Sequence, residues 1–314
     1  MSEFALEVRS VSKTFGTKPA VKSVSFGART GEITGFLGPN GAGKTTTLRM
    51  ALGIIAPDSG SVRLFGAEPT ARAFDRVGFL PEERGVYRKM TARQIITLFG
   101  RLKGMPARQA RTRALELLER FSLGDAADKK IKELSKGMAQ KVQILSAIVH
   151  QPDFIILDEP FSGLDPVNQG VLEAMIREQA DAGATILFST HVMQHAERLC
   201  DRIVLMARGE KVFDGRVEEA LAVVPRQVDL GVDPGQELTA LLSPFGAVSR
   251  AGTDSEGMAI WRVVLNGKST PQDLLKACVD AGIALSRFEP LRPHLHDAFV
   301  QLVSDPADTL AERA

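Results

Sequence analysis

Gly38-Pro39-Asn40-Gly41-Ala42-Gly43-Lys44-Thr45 is the stretch of this 314-residue chain whose residue types and spacing most plainly do chemistry. It satisfies Gly, four residues, Gly-Lys-Thr, a pattern whose backbone N–H groups cradle phosphate oxygens. Its glycines remove side chains where successive amides must turn inward. A helix directly after it adds unpaired amide donors and the positive end of its dipole. In that arrangement Lys44 lies against the outer phosphates and Thr45 offers its hydroxyl to a bridging magnesium. Asn40 and Gly41 supply part of the cradle, with Pro39 and Ala42 completing the loop. Two acids further on fit the same reaction. Asp158 and Glu159 end the apolar run Phe154-Ile155-Ile156-Leu157. Phosphoryl transfer to water needs one group to hold magnesium and one to orient or deprotonate the water. Asp158 is assigned the first role and Glu159 the second.

The elements around these residues suit the task. Ile33 to Leu37 reads as a strand and Thr46 to Leu52 as a helix, the order a nucleotide site needs. Alternating stretches at 5–8 and 21–26, divided by turn residues around Gly16, predict an antiparallel edge sheet. Further strands are expected at 62–65, 77–80, 154–157, 185–189, 203–206 and 211–214. The 154–157 run has the continuous apolarity of a strand buried on both faces. Thr91 to Phe121 carries a helical pattern, and further helices are expected to 149, over 167–180 and over 192–199. Helices alternating with buried strands predict an α/β layered core. Pro225 marks the boundary of a small α+β domain, 225–314. In it we expect strands at 227–231, 259–265 and 284–288 and helices at 237–242, 271–281 and 294–303, before a short acidic tail that frays. The expected role of this domain is packing or dimerisation.

Composition narrows the functional classes. A formal net charge of +1 gives no basic footprint for nucleic acid. Residues 225–314 hold eight Lys and Arg against twelve Asp and Glu, which leaves the first 224 residues modestly basic, as a nucleotide site allows. Cys200 and Cys278 form no CxxC pair and read as reduced structural thiols of a cytosolic protein. The N-terminus lacks the basic flank and apolar core of an export signal. No window reaches the ~18 apolar residues of a membrane span. Val142 to Leu157 comes nearest, and His150, Gln151 and Asp153 interrupt it. Work at a membrane would therefore be as a peripheral part bound to something else.

Four further segments join the phosphate loop in a specific order: Leu134-Ser135-Lys136-Gly137-Met138, Leu157-Asp158-Glu159-Pro160, Ser162-Gly163-Leu164-Asp165 and Ser189-Thr190-His191. Over residues 4–220 the chain resembles the ATP-binding subunit of an ABC transporter. The resemblance implies a P-loop NTPase core of ABC type on residues 1–224, with an antiparallel edge sheet and a helical subdomain at about 88–150. It also implies ATP and Mg2+ as cofactors, and two ATP-binding subunits, most simply a homodimer, meeting head to tail. Each nucleotide then lies between one phosphate loop and the partner's signature segment, where Ser135 and the Gly137 backbone reach the terminal phosphate. By the same resemblance Asp165 communicates across the interface, and His191 contacts the terminal phosphate and supports Glu159. Phe15 takes the position that stacks on adenine, and Thr46 adds a hydroxyl near the first phosphate. His191 and His195 stand four apart, but no third metal ligand is near, and His195 is read as a helix-surface residue.

Two departures matter. Lys136 and Met138 replace residues usual in the signature. In Pro81-Glu82-Glu83-Arg84-Gly85-Val86-Tyr87, Glu82 stands where the family places a glutamine that contacts magnesium. A carboxylate still offers oxygens to the metal but adds negative charge, which Arg84 is expected to offset. The Pro-Glu-Glu-Arg-Gly form and the extra domain are similar to bacterial subunits paired with multi-span permeases that export sodium, drugs or lipids. The expectation is an ATPase on the cytoplasmic side of the membrane, powering transport, with export the expected direction. The alternative is a non-transport ABC-type ATPase acting as a regulatory or assembly module.

Overall fold

The computed structural model describes residues 2–82 and 87–303. The chain forms two compact units, Met1–Val217 and Glu218–Ala314. Glu83 to Val86, including Arg84, and the acidic tail after residue 303 lie outside the described residues.

In the first unit, β1 (Phe4–Phe15) and β2 (Lys18–Arg29) form a long antiparallel hairpin. Gly16, with φ 60°, takes the left-handed turn conformation that costs a residue with a Cβ. Next come β3 (Ile33–Leu37), α1 (Lys44–Ala51) and β4 (Ser59–Leu64), the last pairing with β1 to complete a three-stranded edge sheet. The short α2 (Ala71–Phe74) leads into β5 (Val77–Leu80). Three helices follow: α3 (Ala92–Leu102), α4 (Ala107–Arg120) and α5 (Lys136–Ile148). Then come β6 (Phe154–Asp158), α6 (Pro166–Asp181), β7 (Thr185–Thr190), α7 (Met193–Leu199), β8 (Arg202–Ala207) and β9 (Glu210–Arg216).

The central sheet has the order β5-β6-β7-β3-β8-β9, parallel except for β9. Every residue of β3, β6 and β7 is buried, so both faces of these strands are covered, as parallel strands require. The edge sheet supplies one cover. Phe26 of β2 stacks on Phe36 of β3 with centroids 4.8 Å apart, within a core that also holds Val8, Val24, Leu48 and Phe154.

The helical pattern over 91–121 is two helices. α3 begins in a capping box, Thr91 with Gln94, and stops where Gly104 turns left-handed (φ 84°). Pro106, which cannot continue a helix, then opens α4. The periodicity runs through the break because both helices bury faces built from the same kind of residue, Ile95 and Ile96 in one and Leu117 and Leu118 in the other.

The second unit starts within α8 (Val217–Leu221) and contains β10 (Gln227–Val232), α9 (Thr239–Leu242), β11 (Gly246–Thr253) and β12 (Ala259–Leu265). It ends with α10 (Pro271–Asp280), β13 (Arg287–Leu291) and α11 (Leu295–Val303). The antiparallel sheet has the order β11-β12-β10-β13. Strand β11 was not expected. It is an edge strand, Gly-Ala-Val-Ser-Arg-Ala-Gly-Thr, mostly exposed and without apolar alternation, and pairing with β12 alone makes it a strand. The strand expected at 284–288 lies instead at Arg287–Leu291, placed by pairing with β10. No helix among the described residues is long and apolar enough to cross a membrane.

Candidate active site

The loop from Gly38 to Gly43 joins the carboxyl end of β3 to α1. Gly43, with φ 97°, has no side-chain cap to offer, so the first amides of α1 are left without a capping side chain. A Cβ on Gly43 would stand 2.5 Å from the carbonyl oxygen of Ala20 in β2, so the edge sheet also forbids a side chain here. Lys44 Nζ donates to the carbonyl oxygens of Gly38 (2.7 Å) and Pro39 (3.2 Å), closing the loop on itself. The same ammonium lies 3.7 Å from Glu159 Oε1, and the two side chains are 6 % and 8 % exposed. Burial lowers the Lys44 pKa, against the pull of the Glu159, Asp158 and Glu82 carboxylates.

Asp158 and Glu159 leave β6 beside the loop. Asp158 Oδ1 accepts a hydrogen bond from Ser189 Oγ and lies 3.4 Å from Thr45 Oγ1. Burial pushes the Asp158 carboxyl above its ordinary range, while the hydrogen bonds from Ser189 and Thr45 oppose the shift. Glu159 adopts φ 47°, the left-handed region, although it is not glycine and precedes a proline. Its N–H donates to the Ser189 carbonyl (3.1 Å) and approaches Ser189 Oγ (3.2 Å). Its Oε1 lies 3.0 Å from Nδ1 of the half-exposed His191. Ser189 therefore steadies both carboxylate-bearing residues. The sequence showed it only as the first member of Ser189-Thr190-His191.

An open groove of about 590 Å³ runs along this face, lined by Phe15, Asn40, Gly41, Lys44, Thr45, Thr46, Glu82 and Glu159. Phe15 is 51 % exposed at the end of β1, an aromatic side chain outside the core with the Lys13 ammonium 5.9 Å from its ring centroid. Lys18, Lys22 and Arg208 add positive charge to the groove and were not singled out from sequence. Arg208 (φ 51°) and Gly209 form the β8–β9 turn, and Gly209 O accepts from Lys22 N at 2.8 Å. That contact brings Arg208 beside Lys18 and Lys22 of β2, from a distant part of the chain.

Ser135, Gly137 and Asp165 do not line the groove; they form a second group. Ser135 caps α5 and is exposed, its Oγ accepting from Met138 N at 3.2 Å. Asp165 caps α6, accepting from Asn168 N (2.9 Å) and Asn168 Nδ2 (2.6 Å). A Cβ on Gly137 would lie 3.0 Å from that same Asn168 amide, so the two helix starts abut.

His195 corrects the surface reading. It is 3 % exposed and stacks on Phe161, with centroids 3.9 Å apart and planes 12° from parallel. Its Nδ1 lies 3.2 Å from Glu173 Oε1, and burial holds its pKa below the usual value. Phe161, 34 positions earlier in the chain, is what covers the ring.

A phosphate loop at the carboxyl end of a parallel strand, with a hydroxyl and a buried aspartate facing each other and a lysine beside a glutamate, defines a P-loop nucleoside triphosphatase. Residues 21–162 match the family model described as ABC transporter. The chain is 36 % identical over 298 residues to the uncharacterized ABC transporter ATP-binding protein YhaQ of Bacillus subtilis (strain 168), covering 95 % of this chain and 98 % of that protein. It is 43 % identical over 226 residues to the Nod factor export ATP-binding protein I of Paraburkholderia xenovorans, covering 71 % and 74 %. A solved structure described as that of an ATP binding subunit of an ABC transporter superposes with TM-score 0.65 at 31 % identity, covering 70 % of this chain and 92 % of that one. The chain belongs to the ABC transporter family, as an ATP-binding subunit that hydrolyses ATP and works with membrane permease components.

Proposed function

We propose that two copies of this chain close head to tail on ATP and that hydrolysis drives export through a separate multi-span permease. The observation that carries this reading is the division of the functional residues into two groups within one chain. Lys44, Thr45, Asp158, Glu159 and His191 meet at the loop, while Ser135, Gly137 and Asp165 meet at two abutting helix starts away from the groove. Each group is half of a pocket. A second copy supplies the other half, with the exposed start of α5 presenting amide donors to the terminal phosphate.

In this reading Phe15 stacks on adenine, and the loop amides with Lys44 hold the phosphates. Glu159 orients the attacking water and draws its proton, steadied by His191, so the displacement is in line and forms no phosphoenzyme. The donor set suits a hard divalent cation: the Thr45 hydroxyl faces an Asp158 carboxylate that burial disfavours as a bare anion. Magnesium would be held by Thr45 and Asp158 with Glu82 at the groove wall, and it supplies charge neutralisation at the phosphate oxygens. The likeness to Nod factor export proteins supports the direction of transport. The chain would sit on the cytoplasmic face of the membrane through its permease, with residues 1–224 as the ATP-binding domain and 225–314 as an accessory domain.

Glu159→Gln tests the site. ATP affinity should stay within about twofold while phosphate release falls by about 10²–10⁴. With ATP this variant should run as a dimer in size-exclusion chromatography. Turnover at the wild-type rate would overturn the role of Glu159, and a persistent monomer would overturn the shared pocket. Isolation of the native membrane complex, with transport assayed in vesicles, tests the permease and the direction.

A further inference from the structure

Gln140 lies on α5, one and a half turns after Ser135, and is 2 % exposed. Its Nε2 donates to the carbonyl oxygen of Pro160, the residue that follows Glu159. Its Oε1 is buried without a hydrogen-bond partner. An amide enclosed with half its hydrogen-bonding capacity unused is a poor packing residue, since an apolar side chain of the same length would fill the space without an orphaned acceptor. Glu159 needs such external support. Its left-handed backbone persists only where the surroundings over-determine it, and on its upstream side its N–H is held by two contacts, both with Ser189. On the downstream side the Glu159 carbonyl oxygen accepts from Ser162 N (3.2 Å), and beyond it Gln140 holds Pro160 while the His195 ring stacks on Phe161.

We propose that Gln140 is a positioning residue for the hydrolytic carboxylate, fixing the Glu159-Pro160 segment to helix α5. The inference rests on the assignment of Glu159 given above. Its consequence is mechanical. The helix whose exposed start carries Ser135 is tied by one side chain to the peptide beside Glu159, so a displacement of that helix start moves the Glu159 carboxylate of the same chain. With Ser135 against the nucleotide of the other copy, each Glu159 is brought to its working geometry by occupancy of the opposite pocket.

The test uses the full-length chain, MgATP, and the variants Gln140→Met, Gln140→Lys and Glu159→Gln. Met keeps the length of the stem and removes the donor; Lys keeps a donor on a long stem. Gln140→Met should hold ATP affinity within about twofold of wild type while kcat falls about tenfold to a hundredfold, the cost of a misplaced reacting group. Its thermal midpoint should stay within a few degrees of wild type, because the orphaned Oε1 is gone while the Pro160 carbonyl oxygen loses its donor. Gln140→Lys should recover kcat to within about fivefold of wild type if its amine reaches Pro160. Wild-type kcat in Gln140→Met would overturn the proposal, as would parallel losses of affinity and kcat in both Gln140 variants. If Glu159→Gln itself still turned over, the assignment of Glu159 would be what failed; if it is inactive while Gln140→Met is normal, only the positioning role fails.

Discussion

Lys44→Met probes the centre of the site without any ligand. The wild-type ammonium is 3.7 Å from Glu159 Oε1, and both side chains are almost fully enclosed. At that separation the attraction is about 4 kcal/mol at an effective dielectric of about 20, before the desolvation of both ions is subtracted. Methionine keeps the stem and removes the charge, which leaves the buried Glu159 carboxylate without its cation. Breaking a buried pair from one side costs about 3–5 kcal/mol, because the remaining ion is uncompensated. His191, 3.0 Å from the same oxygen but half-exposed, offsets a part, so a loss near the lower end, about 3 kcal/mol, is expected. In a unit of this size that lowers the unfolding midpoint by about 6–12 °C. Glu159→Gln in the Lys44→Met background removes the stranded charge, so the double variant should be more stable than the sum of the two single losses by about 2 kcal/mol. Far-UV circular dichroism of the nucleotide-free protein reads the transition. Trp261, the single tryptophan, lies in the second unit and reports on that unit separately by fluorescence. Strict additivity of the two single losses would refute the idea that these residues meet as a buried pair.

Two further outcomes follow from groups elsewhere in the first unit. The ring nitrogens of His150 are enclosed, and burial, aided by the Lys103 charge, lowers its pKa to about 4, against weaker pulls from the Val77 backbone and from Asp75. The unfolded chain therefore binds this proton more readily, and the contribution of the neutral ring, complete above about pH 6.5, is lost as pH falls toward about 4. Urea unfolding across that window should show a steeper decline in wild type than in His150→Leu, and superimposable profiles would refute the assignment. Phe15 presents an exposed aromatic ring at the groove, so Phe15→Ala should weaken ATP binding by about threefold to tenfold and leave the unfolding midpoint unchanged. An unaltered affinity would remove Phe15 from the adenine contact.

Much of the site was legible in the chain because its chemistry is local. The glycines, Lys44 and Thr45 stand within eight consecutive residues between a strand and a helix, the pattern in which backbone amides bind phosphate. Buried strands such as 154–157 announce themselves because both faces must be apolar, so Asp158 and Glu159 could be placed at a strand end. Distances between remote residues carry no such mark. That Lys44 meets Glu159, that Ser189 steadies both acids, and that Gln140 reaches Pro160 depend on the parallel order β6-β7-β3, which sets the ends of three strands side by side. His195 has the spacing of a helix-surface residue, and the ring of Phe161 stacked on it, with Glu173 and Arg198 at its Nδ1, accompanies its burial. Strand β11 has no apolar face to declare it, and hydrogen bonds to its neighbour alone make it a strand. Residue types and short spacings thus determined which chemistry this chain carries; packing decided which side chains stand within reach of one another, because contact across a sheet is a property of strand order and register, and a single chain's spacing does not encode either.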